Sequence, residues 1–188
     1  IIPMLGLPSS LPVRFIFPNA PYRSITINGG MEMRGWYDIR SASINEQEDA
    51  DGIRESAIIL SSLIDEQLKK GIAASRIVLE GFSQGGAIAL YQCIRQSQAL
   101  AGIIALSSYL PLPDSLDEKT PAHLNGMPVF IGHGNQDPIV PLELGLFTRD
   151  FLLGLKMDVQ FQMYPMGHSV SFDEITDVGT WLKKILPH

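Results

Sequence analysis

The chain has 188 residues, 45% of them hydrophobic and 18% charged, which suits one domain with a sizeable core and excludes a disordered chain. The net charge is −6 and no Lys/Arg cluster exceeds two adjacent residues, so nucleic acid is not the expected partner. No apolar run approaches the length needed to cross a bilayer, and the single cysteine, Cys93, leaves no intrachain disulfide and is compatible with a reducing compartment.

The chain opens Ile1-Ile2-Pro3-Met4-Leu5, without an initiator Met or a charged leader, and Pro3, Pro8 and Pro12 interrupt any signal-peptide pattern. This opening leads us to expect that a preceding segment belongs to the fold. Residues 1–12 read as irregular. Val13 to Phe17 reads as a short strand closed by Pro18-Asn19-Ala20-Pro21. Residues 22–40, with Gly29, Gly30, Met31, Met33 and Trp36-Tyr37, read as a long loop whose large apolar side chains serve either function or core sealing.

Ser43-Ile44-Asn45-Glu46 has the form of a capping box, and Ile53, Ala57, Leu60, Ile64 and Leu68 then recur at helical spacing. Lys69-Lys70-Gly71 closes that helix with basic charge and a glycine. Residues 76–80 form an apolar strand, followed by Gly81-Phe82-Ser83-Gln84-Gly85 and a helix over 86–98. Cys93 falls well inside that helix and reads as a buried, apolar-like residue.

Leu100 to Leu106 is the next apolar strand, and residues 111–127 form a polar, Pro-containing connection. Pro128 to Ile131 is a strand leading into Gly132-His133-Gly134-Asn135-Gln136-Asp137. A helix follows over 141–153, then a strand from Val159 to Tyr164 that ends in Gly167-His168-Ser169. Ser171-Phe172-Asp173-Glu174 repeats the capping-box pattern and opens a last helix, with Phe172, Ile175, Val178, Leu182 and Ile185 expected inward. From residue 72 onward strands alternate with helices, which implies one domain over 1–188 with a mostly parallel sheet covered on both faces.

Sites in such sheets form at the carboxyl ends of the strands. Ser83, Asp137 and His168 each follow a predicted strand. A strand, a Gly-flanked turn holding Ser, and a helix make the layout of a nucleophile elbow, in the chain order Ser, Asp, His of the α/β-hydrolases. A Ser hydroxyl needs a neighbouring base, and a His base needs a carboxylate to hold its tautomer and stabilise its charged form. The Gln84 backbone N–H, at the start of a helix, is the expected oxyanion donor. A second donor from an early loop has no candidate in this chain. His133 is expected to support the turn that carries Asp137, and His123 and His188 carry no expected role. No His or Cys spacing marks a metal site, and neither a dinucleotide fingerprint nor a Walker A pattern occurs.

Gly-Phe-Ser-Gln-Gly-Gly at 81–86, His-Gly-Asn-Gln-Asp-Pro-Ile-Val-Pro at 133–141 and Gly-His-Ser at 167–169 together resemble the small carboxylesterase/acyl-protein thioesterase family in its bacterial form. Arg-Phe-Ile-Phe-Pro at 14–18, Thr-Ile-Asn-Gly-Gly at 26–30 and Trp-Tyr-Asp at 36–38 extend the resemblance over essentially the whole chain. It implies an α/β-hydrolase with little lid, hydrolysing carboxylic esters, acyl thioesters or lysophospholipids through Ser83, His168 and Asp137. It further implies no metal or organic cofactor, a cytoplasmic location and often a homodimer. Trp36, Leu110 and Val140 would line the acyl groove by the same resemblance. The family's first strand and its His-Gly-Leu-Gly-type turn have no counterpart here. The alternatives are therefore a non-catalytic acyl-binding protein or a truncated inactive form, and a peptidase on the same triad is a third.

Overall fold

The computed structural model describes residues 1–115 and 121–186. Part of the polar connection expected at 111–127, and His188, lie outside those residues. In chain order the elements are β1 (Tyr22–Ile25), β2 (Met31–Arg34), α1 (Ala50–Lys69), β3 (Val78–Phe82), α2 (Gln84–Cys93), β4 (Gly102–Leu106), β5 (Pro128–Gly134), α3 (Leu142–Gly154), β6 (Asp158–Tyr164) and α4 (Phe172–Ile185). The main sheet is parallel, in the order β3-β4-β5-β6.

The central strands explain why this sheet needs helices on both faces. Every residue of β4, Gly-Ile-Ile-Ala-Leu, is buried. Because side chains alternate across a strand, Ile103 and Ala105 enter one core while Ile104 and Leu106 enter another. Val129 and Ile131 of β5 join the first core and Phe130 joins the second. The first core is closed by Ile64 of α1, Ala89, Leu90 and Cys93 of α2, and Leu152 of α3. The second is closed by Ile175, Val178, Trp181 and Leu182 of α4 and by Leu5. Cys93 is buried beside Met127 and its thiol pKa is pushed up by that burial, as a core residue's would be.

Several expectations give way to tertiary structure. Val13 to Phe17 pairs with no strand among the described residues, and Ile16 and Phe17 are exposed. An apolar run bracketed by prolines does not become a strand without a ladder partner. The expected loop at 22–40 instead contains an antiparallel hairpin, with Tyr22 opposite Arg34 and Ile25 opposite Met31. Helix α1 begins at Asp49, not at Ser43. The Asp49 carboxylate accepts from the Gly52 amide, while Ser43 and Glu46 make only a turn. Asp49 also accepts from the Asp38 amide and from Arg40, so one carboxylate ties the helix start to the segment after the hairpin.

At α4 the second capping box is half present. The Ser171 hydroxyl accepts from the Glu174 amide at 3.1 Å, but the Glu174 side chain does not return to the cap. It turns inward and is fully buried. Phe172, expected inward, is 64% exposed, because the first turn of α4 projects it away from the core that Ile175 and Val178 enter.

Candidate active site

The turn after β3 is built by close backbone contact. A Cβ on Gly81 would lie 2.1 Å from the Gly85 carbonyl carbon, and one on Gly86 would lie 2.7 Å from Ser108 Cβ, so only glycine fits either place. Between them Ser83 is held at φ 54°, ψ −123°, a conformation that L residues rarely adopt. That conformation turns the chain sharply from strand to helix and makes Ser83 the N-cap of α2. The Ser108 hydroxyl, on the loop after the neighbouring β4, donates to the Ser83 carbonyl at 2.8 Å and holds the turn from below.

Three side chains from three strand ends meet there. The Ser83 Oγ lies 3.0 Å from His168 Nε2, and His168 Nδ1 lies 2.8 Å from Asp137 Oδ2. An ionised carboxylate can only accept, so Nδ1 carries the proton and Nε2 is left as the acceptor for the Ser83 hydroxyl. The second Asp137 oxygen, Oδ1, accepts from the Ile139 and Val140 amides, both at 2.9 Å. Burial alone would raise the Asp137 pKa. The His168 hydrogen bond and the two amides outweigh it and hold the pKa below the ordinary carboxylate value. The Phe82 ring packs on the His168 imidazole, with centroids 4.7 Å apart. Fully buried His133 donates from Nε2 to the Val140 carbonyl at 2.9 Å, closing the loop that presents Asp137.

The Gln84 amide is a first-turn N–H of α2, one of the donors a helix cannot satisfy internally. A cavity of about 350 Å³ opens beside it, lined by Ile25, Met33, Trp36, Ile39, Phe82 and Ser83 among others. Trp36 therefore stands at this cavity. Leu110 and Val140 do not. Leu110 is 2% exposed and belongs to the first core, with its amide bonded to Thr148. Val140 packs in a third cluster with Tyr37 and Tyr109. The sequence reading also missed side chains whose roles depend on remote partners: the Ser108 hydroxyl, the Phe82 ring and the Gln84 amide group.

A parallel sheet with helices on both faces and a strained serine turn leading from strand to helix is the architecture of an α/β-hydrolase. Within that class the chain belongs to the phospholipase/carboxylesterase family, whose pattern matches residues 7–186. It is an ester-bond hydrolase. It is 42% identical over 183 residues to acyl-protein thioesterase 1 of Neurospora crassa, covering 93% of this chain and 75% of that one. To acyl-protein thioesterase 1 of Yarrowia lipolytica it is 40% identical over 177 residues, covering 92% and 78%. These relatives are fungal, although the motifs suggested a bacterial form. Among solved structures, SOBER1 of Arabidopsis thaliana is similar with a TM-score of 0.85 at 28% identity, covering 92% of this chain and 83% of that one. Acyl-protein thioesterase 2 of Zea mays follows with a TM-score of 0.78 at 25% identity, covering 90% and 80%.

Proposed function

We propose that the chain hydrolyses acyl esters and thioesters, including acyl groups carried on protein thiols, through an acyl-serine intermediate on Ser83. The observation that carries this reading is the unbroken chain Ser83 Oγ, His168, Asp137, at 3.0 and 2.8 Å, beside a cavity walled in part by Ile25, Met33, Trp36 and Ile39. Ser83 Oγ attacks the acyl carbonyl carbon while His168 Nε2 takes the hydroxyl proton. The carbonyl oxygen becomes an oxyanion that accepts from the Gln84 N–H, favoured by the positive end of α2. Collapse of this intermediate breaks the bond to the leaving oxygen or sulfur, which takes the proton from His168. Water, deprotonated by His168, then attacks the acyl-serine carbonyl carbon, and collapse breaks the bond to Ser83 Oγ, which takes the proton back from His168 as the carboxylic acid leaves. Asp137 stabilises the imidazolium in both halves.

The walls at Ile25, Met33, Trp36 and Ile39 suit a hydrocarbon chain, and Phe82 is 39% exposed beside His168, so the site lies close enough to the surface for an acyl group borne on another protein. The names of the fungal relatives favour the thioester substrate. A fluorophosphonate probe should label Ser83, and Ser83→Ala should lose labelling and at least about a thousandfold in ester turnover. Acyl binding without turnover would instead mark a non-catalytic acyl-binding protein.

A further inference from the structure

Ser83 has its partners, yet the residue after it makes the longer connection. The Gln84 side chain reaches across the cavity floor to a segment 47 and 48 positions earlier in the chain. Its Oε1 accepts from the Trp36 amide at 3.0 Å, and its Nε2 donates to the Tyr37 carbonyl at 2.9 Å. One side-chain amide thus satisfies both the N–H that opens the Trp36-Tyr37 dipeptide and the C=O that closes it. The same segment is anchored from behind, where the Ser56 hydroxyl of α1 donates to the Trp36 carbonyl. One residue on, the Asp38 amide donates to Asp49.

Trp36 itself lines the cavity, and its indole nitrogen is 3.7 Å from where a Cβ on Gly85 would stand, so the indole lies over the start of α2. The wall of the cavity and the nucleophile turn are therefore not independent. They meet in Gln84, whose backbone N–H faces the reacting carbonyl in the esterase reading and whose side chain holds the wall.

We propose that the Gln84 side chain is a positioning residue that locks the Trp36 wall of the cavity in register with Ser83 and thereby sets which acyl chains are accepted, an inference that rests on the esterase assignment of Ser83. The backbone amide of position 84 survives any substitution except proline, so the two roles of this residue separate experimentally. An acetyl ester ends too close to Ser83 to depend on the wall. A long acyl chain must lie along it. Loss of the clamp leaves the Trp36 N–H and Tyr37 C=O without their partner and frees the wall to move.

The test compares kcat and KM for acetyl and decanoyl p-nitrophenyl esters in wild type, Gln84→Met, Gln84→Glu and Ser56→Ala, with fluorophosphonate labelling of Ser83 in each. Gln84→Met should lower the decanoyl kcat/KM about tenfold more than the acetyl kcat/KM, chiefly through KM. Ser56→Ala, which removes the anchor from the opposite side, should shift the decanoyl-to-acetyl ratio in the same direction. Gln84→Glu should recover that ratio at acid pH, because a protonated carboxyl again offers one acceptor and one donor. A ratio unchanged in both Gln84→Met and Ser56→Ala, or an equal loss on both substrates in folded, labelled protein, overturns the proposal. Failure of wild-type protein to label at Ser83 would instead remove the esterase assignment beneath it.

Discussion

Replacing Glu174 by Gln should stabilise this protein at alkaline pH and leave it unchanged at acid pH. Glu174 is fully buried on α4, its carboxyl packed where a Cβ on Gly132 of β5 would stand, and neither oxygen has a hydrogen-bond partner among the described residues. Burial pushes its pKa from 4.5 up to about 7. The nearby Ser171 amide pulls the value down in part, and Asp177 on the same helix pushes it up further. At the end of β6 Tyr164 donates its hydroxyl to Asp177 of the same helix at 2.8 Å.

Between these two pKa values the unfolded chain has released the proton and the folded chain still holds it. Stability therefore falls as pH rises through that window and levels off above about pH 7. The full loss amounts to roughly 3 kcal/mol. Urea unfolding of wild type and Glu174→Gln, measured at about pH 4.5 to about pH 8.5, isolates it, because the contributions of other groups cancel in the difference. The difference should be near zero at the acid end and reach up to about 3 kcal/mol in favour of the variant at the alkaline end. A difference that stays flat with pH, or that favours wild type more strongly as pH rises, would refute the reasoning.

The other outcomes concern the site and its support. Asp137→Asn should lower turnover about ten-thousandfold while leaving the fold intact, because the Asn amide cannot hold the His168 tautomer that accepts from Ser83; steady-state kinetics check it. Gly86→Ala forces a methyl against Ser108 and the Gly81 carbonyl, so chemical unfolding should show a loss of about 2 kcal/mol and fluorophosphonate labelling of Ser83 should slow. Cys93 should react with maleimide only at the rate of global unfolding, since its thiol is buried and its pKa is raised; mass spectrometry under native and denaturing conditions reads this out.

What the sequence disclosed follows a physical line between local and remote causes. The alternation of strands and helices after residue 72 was legible because β4 and β5 are apolar on both faces and α4 carries its apolar residues at helical spacing. Ser83, Asp137 and His168 could be grouped because a parallel sheet delivers the ends of β3, β5 and β6 to one edge. The start of α1 was misplaced because Ser43 and Asp49 both satisfy local capping rules. Only the convergence of Arg40 and the Asp38 and Gly52 amides on Asp49 decides between them. The Gln84 clamp had no local signal, since its partners at Trp36 and Tyr37 are set by the packing of the hairpin segment on α1 and α2. Leu110 and Val140 were expected at the groove only from the family resemblance, and here Thr148 and the tyrosine cluster draw the backbone that carries them into the interior.

The central claim is that Ser83 takes the acyl group covalently. Rapid quenching after mixing with a short-chain acyl thioester, followed by peptide mass spectrometry, tests it most directly. A transient acyl adduct should form on the peptide containing Ser83 in wild-type protein. Turnover that proceeds with no adduct on that serine, or with the adduct on another residue, would contradict it.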